Sequence, residues 1–76
     1  MKVLVHSIAA ALVDDPSAVR ARELPGSGVT RIELSVARAD LGRVIGRDGR
    51  TARAIRTLLT VAGRKLGRAF VLEVRE

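Results

Sequence analysis

The chain has 76 residues, of which 47% are hydrophobic, 29% are charged and 1% are aromatic, and it contains no cysteine. A length this short predicts one small domain, because a second hydrophobic core would not fit. The lack of cysteine excludes disulfides and thiolate metal sites. The single histidine, His6, is expected at the surface of a helix, and alone it builds neither a zinc site nor a catalytic triad. We therefore expect no catalytic residues, no metal and no cofactor.

The formal net charge of +6 is unevenly distributed along the chain. Residues 38–68 contain nine basic side chains against two acidic ones, whereas the rest of the chain is close to neutral. A basic block of this kind indicates a polyanionic partner, with nucleic acid favoured over an anionic membrane surface. His6 and Ser7 interrupt the apolar start of the chain. We therefore expect a cytoplasmic protein without a signal peptide and without membrane insertion.

Three elements are predicted in the first half of the chain. Apolar residues recur at helical spacing over residues 2–13, although the apolar start at residues 3–5 would also suit a strand. A weakly patterned short strand follows at residues 19–24, and the glycine-containing turn at residues 25–28 leads into a half-buried strand. The apolar residues that alternate along this strand are Ile32, Leu34 and Val36.

Two helices and a last strand are predicted in the second half. The first is a short helix at Asp40–Ile45, with Asp40 near its start, where the helix dipole favours a carboxylate. The second begins at Arg50 and is expected to end at Gly67. Its predicted buried arc consists of Ile55, Leu58, Leu59, Ala62 and Leu66, and its opposite side carries Arg50, Arg53, Arg56 and Arg64. A strand containing Phe70, Leu72 and Val74 completes an α+β domain with helices on one face of a three-stranded sheet.

The segment between the two helices carries the most informative motif, Gly46-Arg47-Asp48-Gly49. Two glycines three positions apart let the backbone turn sharply and let a phosphate approach without an intervening Cβ. Since the second helix begins directly after Gly49, its free N–H groups and its positive dipole end face the same point. Arg47, Arg50 and Arg53 add formal charge there. A G-x-x-G sequence alone is common, so its position between two helices, with strands outside both, is what favours a phosphate site.

The strand–helix–GxxG–helix–strand order resembles the core of a KH domain. With the extra helix and strand in front, the chain resembles the type II form found in bacteria. The run from Gly42 to Leu59 is similar to the small stand-alone bacterial KH proteins of the KhpA family, and the resemblance covers nearly the whole chain. It implies a single type II KH domain over residues 1–76, with the order α-β-β-α-α-β. The N-terminal helix and strand would occupy residues 2–24 and the core residues 29–75.

This resemblance implies a non-enzymatic protein that binds single-stranded RNA, as an RNA chaperone or post-transcriptional regulator. In KH domains the loop clamps the backbone of about four nucleotides, and the bases lie in a groove between the helices and the neighbouring strand. Carried over by position, Gly46 and Gly49 would shape the clamp, and Arg47 and Asp48 would be its variable residues. Ile45 would pack beneath the loop and line the groove. Arg50 and Arg53 would reach adjacent phosphates.

Asp48 departs from a purely basic loop, because a carboxylate beside a phosphate opposes binding. Two interpretations stay open: Asp48 lowers the affinity for RNA, or it accepts a hydrogen bond from Arg50 or a backbone N–H and braces the loop. The only aromatic residue, Phe70, is expected to be buried, which excludes a platform of stacked aromatic residues.

An alternative function is a protein-interaction subunit that pairs with a second copy or with a larger KH-containing partner, RNA binding being secondary. Val61 lies toward the basic side of its helix, where an apolar side chain would be partly exposed. It either borders the core or belongs to a subunit interface. A nucleotide-binding enzyme is disfavoured, because a P-loop requires G-x-x-x-x-G-K-[ST] and the chain has no such sequence.

Overall fold

The computed structural model describes all 76 residues and consists of three helices on one face of a three-stranded sheet. The helices and strands are α1 Lys2–Leu12, β1 Arg20–Pro25, β2 Val29–Ser35, α2 Leu41–Ile45, α3 Arg50–Leu66 and β3 Ala69–Arg75. Short 3-10 turns occupy Pro16–Ala18, Arg38–Asp40 and Arg47–Gly49. The order α-β-β-α-α-β confirms the predicted fold class. None of the helices is both long and apolar enough to cross a membrane.

Strand β2 lies at the centre of the sheet, antiparallel to β1 and parallel to β3. The β1–β2 pair is a hairpin, whereas β3 is reached through α2 and α3, since parallel strands require a crossover connection. Side chains alternate between the two faces of a strand. Thr30, Ile32 and Leu34 therefore point from β2 toward the helices and are buried, while Arg31 points to the outer face of the sheet.

The hydrophobic core lies between the sheet and the helices. Val5 and Ala9 of α1 and Ile55 and Leu59 of α3 pack there against the inner face of the sheet. Val44 is the only buried residue of α2. Val44, with the partly buried Leu41, therefore anchors this five-residue helix, which leads directly into the glycine loop.

The buried face of α3 differs from the prediction. Leu58 and Leu66 are 52% and 61% exposed, although both were expected in the buried arc. The buried residues are instead Ala52, Ile55, Leu59 and Gly63. A Cβ on Gly63 would collide with the carbonyl oxygen of Arg68 and approach Cδ2 of Phe70 to 3.2 Å. The helix therefore lies close to the start of β3 at this glycine. Phe70 packs against the core but is only half-buried, so its predicted burial is partly correct.

Asp40 lies at the start of α2, as predicted, but its carboxylate does not cap that helix. Oδ1 and Oδ2 instead accept the backbone N–H groups of Asp14 and Asp15 at 3.2 and 3.1 Å. The side chain is buried, and Nε of Arg43 lies 3.7 Å from Oδ1. Arg43 also pairs with Asp14 at 3.1 Å. The Asp40 carboxylate therefore links the segment after α1 to the start of α2 through hydrogen bonds.

Candidate nucleic-acid interface

The glycine loop follows α2 and has left-handed backbone at three of its four residues. The φ angles are 78° at Gly46, 57° at Asp48 and 73° at Gly49. Glycine adopts this region freely, and Asp and Asn tolerate it better than other side chains. The N–H of Gly49 donates to the carbonyl oxygen of Gly46 at 3.1 Å and closes the turn. The local backbone therefore explains why this segment contains two glycines and an Asp.

The two glycines of the loop are needed for different reasons. A Cβ on Gly46 would collide with the side chain of Thr51 and lie 2.8 Å from its backbone nitrogen. A Cβ on Gly49 would meet no atom within 4 Å. Gly46 therefore packs against the first turn of α3, whereas the space over Gly49 is open to a ligand.

Helix α3 begins directly after this open space, and no side chain caps its N-terminus. The first four N–H groups of a helix have no intrahelical partner, although in α3 the first of them, on Arg50, donates to the carbonyl oxygen of Arg47 in the loop. They carry the positive end of the helix dipole, and phosphate groups bind readily at such termini. The loop and the start of α3 thus combine steric access with donors for an anion.

The predicted contact residues surround this point. Arg47, Arg50 and Arg53 are exposed, and Nη2 of Arg53 reaches back to donate to the carbonyl oxygen of Asp48 at 3.4 Å. Ile45 differs from the expectation: it is 38% exposed and so does not pack fully beneath the loop. Because Val44 takes the buried position of α2, Ile45 is left as an apolar surface beside the glycines.

The Asp48 carboxylate accepts no hydrogen bond and forms no ion pair; only its carbonyl oxygen is contacted, by Arg53. The bracing role that the sequence left open, with a bond from Arg50 or a backbone N–H, is therefore absent. Every other carboxylate in the chain has a partner: Asp14, Asp15, Glu23, Glu33, Asp40, Glu73 and Glu76. Asp48 is thus the one acidic side chain whose carboxylate has neither a hydrogen bond nor an ion pair, and it lies in the loop.

Eleven of the fourteen basic residues fall into two groups, which sequence reasoning did not separate; Lys2, Arg20 and Arg68, which also form no salt bridge, lie outside both groups. Five arginines form salt bridges with carboxylates: Arg22, Arg31, Arg38, Arg43 and Arg75. Six exposed basic residues of the loop and α3 form none: Arg47, Arg50, Arg53, Arg56, Arg64 and Lys65. We call these six the free basic face. The uncompensated positive charge of the molecule is therefore concentrated around the loop and along α3.

The outer face of the sheet shows how the first group is neutralised. Glu33 accepts hydrogen bonds from Nη2 of Arg22 at 2.6 Å and from Nη1 of Arg75 at 3.1 Å. The hydrogen bond from Arg22 lowers the pKa of Glu33 below its ordinary value of 4.5, although desolvation acts in the opposite direction. Arg31 pairs with Glu73 on the same face at 3.4 Å. The alternation of Arg and Glu along β2 and β3 places these side chains on one face of the sheet, but the sequence alone does not specify which of them pair.

The structure contains no cluster of three or more His, Asp or Glu side chains that could hold a metal ion.

The exposed side of α3 also carries apolar residues. Val61 is 49% exposed, which confirms the predicted partial exposure. Leu58 lies three positions before it and is exposed on the same side of the helix.

Comparison with known proteins agrees with this geometry. The family model described as "KhpA/KhpB, KH domain" matches residues 2–74. The chain belongs to this family. Its KH fold has the parallel β2–β3 pair and the GxxG sequence between α2 and α3, and the predicted resemblance is confirmed.

Relatives from the KhpA group cover the chain almost completely. The "RNA-binding protein KhpA" of Aquifex aeolicus is 49% identical over 76 residues, which are 100% of this chain and 96% of the relative. The protein of the same name from Caldanaerobacter subterraneus is 47% identical over 97% of this chain and 99% of its own length. That of Clostridium acetobutylicum is 43% identical with the same coverage. No solved structure matches this chain significantly.

Proposed function

We propose that this chain is a non-enzymatic protein that binds single-stranded RNA in the cytoplasm and acts as an RNA chaperone or post-transcriptional regulator. Residues 1–76 would act as one KH domain that grips the RNA backbone at the loop Gly46–Gly49. The names of the KhpA relatives support RNA as the ligand. The observation that carries the proposal is the part of the free basic face next to the loop, Arg47, Arg50 and Arg53, which surrounds an open glycine turn at a helix N-terminus without a side-chain cap.

The grip depends on the backbone and on charge. A phosphate over Gly49 would accept hydrogen bonds from N–H groups of the first turn of α3 other than that of Arg50, which donates to the carbonyl oxygen of Arg47. Arg47, Arg50 and Arg53 would supply positive charge around it. The exposed side chain of Ile45 offers an apolar contact for the adjoining base. Because the single aromatic residue, Phe70, packs against the core, bases would not stack on an aromatic platform. We therefore expect little preference for base sequence.

The test compares two variants that remove one positive charge each. Arg47→Gln changes the loop, and Arg31→Gln changes the outer face of the sheet, where Arg31 is paired with Glu73. Binding of a labelled single-stranded RNA would be measured by fluorescence anisotropy at several salt concentrations, with circular dichroism as a check of folding. A charge-assisted hydrogen bond contributes about 1.5–3 kcal/mol, so Arg47→Gln should weaken binding at least about tenfold.

The salt dependence provides a second readout. Each phosphate neutralised on a single strand contributes roughly 0.7 to the slope of log K against log salt, so the wild type should show a slope of magnitude about 2 to 4. Arg47→Gln should reduce that magnitude by about 0.7, while Arg31→Gln leaves it unchanged. Equal losses in both variants would reject the loop as the contact. A wild type that binds no RNA would reject the function.

A second candidate function is a protein-interaction subunit, for which RNA binding is secondary. The observation that favours it is the apolar pair Leu58 and Val61 on the exposed side of α3. Exposed apolar side chains grouped on one face are typical of protein contacts. The family description covers KhpA and KhpB together, which is consistent with pairing to a second copy or to a larger KH-containing partner.

Sedimentation velocity tests this candidate. Val61→Asp places a charge in the proposed interface, and Val3→Asp places the same charge at a 72% exposed apolar position on α1. If α3 forms the contact, a wild-type dimer should dissociate in the Val61 variant and persist in the Val3 variant. A dimer that survives Val61→Asp with its fold intact would exclude Val61 from the interface.

A further inference from the structure

Three basic side chains without a salt bridge lie at the end of α3 that is remote from the loop, and two of them, Arg64 and Lys65, belong to the free basic face. Arg64 and Lys65 lie in the last turn of the helix, and Arg68 follows in the connection to β3. None of the three forms a salt bridge with a carboxylate. We call these three residues the distal basic cluster. At a rise of about 1.5 Å per residue, Arg64 lies about 21 Å along the helix from Arg50.

A polar cleft of about 200 Å³ lies beside the distal basic cluster, between the β1–β2 turn and the α3–β3 connection. It is lined by Gly26, Gly28, Val29, Thr30, Gly67 and Arg68. Three of these residues have no side chain, and a Cβ on Gly28 or Gly67 would meet nothing within 4 Å. Nη1 of Arg68 donates to the hydroxyl oxygen of buried Thr30 at 3.4 Å, which holds the guanidinium at the wall of the cleft.

The helix dipole alone does not account for this cluster. Basic residues are favoured at helix C-termini because that end is negative. In α3, however, backbone groups already cap this end: the N–H of Gly67 donates to Arg64 O at 3.4 Å, and the N–H of Arg68 donates to Gly63 O at 2.8 Å. Gly67 has the left-handed conformation that such caps require. The side chains of Arg64 and Lys65 donate no hydrogen bond to these carbonyl oxygens and remain available to a ligand.

The surface between the loop and this cluster is free of negative charge. Helix α3 contains no Asp or Glu. Thr57 and Thr60 are exposed on the same side of the helix as Arg53 and Arg64, so they continue a polar path between the two ends. A strand that leaves the loop along α3 would therefore meet no repulsive group before it reaches the distal basic cluster.

We propose that the distal basic cluster is a second contact for the backbone of the RNA strand held at the loop. The inference rests on the proposed function and extends it, since the binding site becomes longer than the loop itself. A stacked strand advances roughly 3.4 Å per nucleotide, so about six nucleotides span the 21 Å estimated above. The loop of a KH domain clamps only about four. The two contacts together therefore require a strand longer than the one that fills the loop.

The experiment measures how affinity depends on RNA length. A four-nucleotide and a twelve-nucleotide RNA would be titrated into the wild type and into Arg64→Gln/Lys65→Gln, with binding followed by NMR chemical shifts so that weak complexes are still measured. The matched control is Lys2→Gln/Arg31→Gln, which removes the same charge outside α3. Thermal unfolding of each variant reports the structural contribution of the replaced side chains.

We expect the distal variant to bind the four-nucleotide RNA as the wild type does and to bind the twelve-nucleotide RNA about tenfold more weakly. Its salt slope for the longer RNA should fall by about 1.4, which is roughly 0.7 for each lost phosphate contact. The control variant should show the same gain in affinity from the four-nucleotide to the twelve-nucleotide RNA as the wild type. The inference would be overturned if the distal variant bound both RNAs more weakly by the same factor, or if it kept the wild-type gain in affinity from the shorter to the longer RNA. It would also be overturned if the control variant lost as much affinity for the longer RNA as the distal variant does.

The same titrations distinguish failure of this inference from failure of the proposed function. If the four-nucleotide RNA shifts the loop signals and Arg47→Gln abolishes those shifts, the loop contact stands whatever the distal variant does. If neither RNA shifts any signal, the RNA-binding function itself fails, and the distal contact fails with it.

Discussion

The charge of Asp48 provides a sharp test of the loop, because it can be removed without altering the backbone. Its φ of 57° is tolerated by Asn as well as by Asp, and Asn has nearly the same shape. The carboxylate makes no hydrogen bond that the substitution would break, since only its carbonyl oxygen is contacted. Asp48→Asn therefore isolates the electrostatic effect of one negative charge beside the proposed phosphate position.

The size of this effect follows from distance and screening. Two unit charges about 4 Å apart in water interact by about 1 kcal/mol, which corresponds to about a fivefold change in Kd. Salt reduces the interaction, because the Debye length is about 8 Å at physiological ionic strength. We expect Asp48→Asn to bind RNA about five times more tightly than the wild type at low salt and about three times as tightly at physiological salt.

Anisotropy titrations with one labelled RNA at two ionic strengths would measure this change. The control is Asp15→Asn, which removes the same charge from an exposed turn after α1, where the carboxylate accepts a hydrogen bond from the hydroxyl of Ser17. Binding that is unchanged or weaker in Asp48→Asn would refute the reasoning, since it would mean that the carboxylate does not repel the ligand. An equal gain in both variants would show an effect of net charge only.

Three further predictions concern stability. Gly63→Ala should lower the Tm even though Ala is the better helix former, because the added methyl group collides with the carbonyl oxygen of Arg68; a higher Tm would contradict the close helix–sheet contact. Asp40→Asn should lower the free energy of unfolding in urea by about 1–3 kcal/mol, since an amide cannot accept both backbone N–H groups, and an unchanged value would show that this clamp is unimportant. The lowered pKa of Glu33 means that its carboxylate stabilises the fold above pH 4.5 and that this contribution is lost as the pH falls through the lowered value. Glu33→Gln should therefore flatten the decrease in stability below pH 4.5, and an acid limb identical to that of the wild type would argue against the ion pairs.

The element order, the glycine loop and the family resemblance could all be predicted from the sequence. These features depend on residues that are close together in the chain. Helical and alternating periodicities are local, and left-handed backbone at Gly46, Asp48 and Gly49 requires residue types that can be recognised without knowing the fold. The C-terminal stop at Gly67 was predicted for the same reason, and it is confirmed.

The distribution of free charge could not be predicted in this way, because it depends on contacts between residues that are distant in the chain. Arg22 and Arg75 lie 11 and 42 residues from Glu33, and only the register of the three strands brings them together. Asp40 likewise binds backbone groups about 25 residues away.

The exposure of Leu58 likewise depends on tertiary packing, since α3 packs against the sheet through Ala52, Ile55, Leu59 and Gly63. Local patterns thus determined where the loop lies. Which arginines remain without a salt bridge was decided by tertiary packing, because a salt bridge forms only between groups that the fold has brought within a few ångströms of each other.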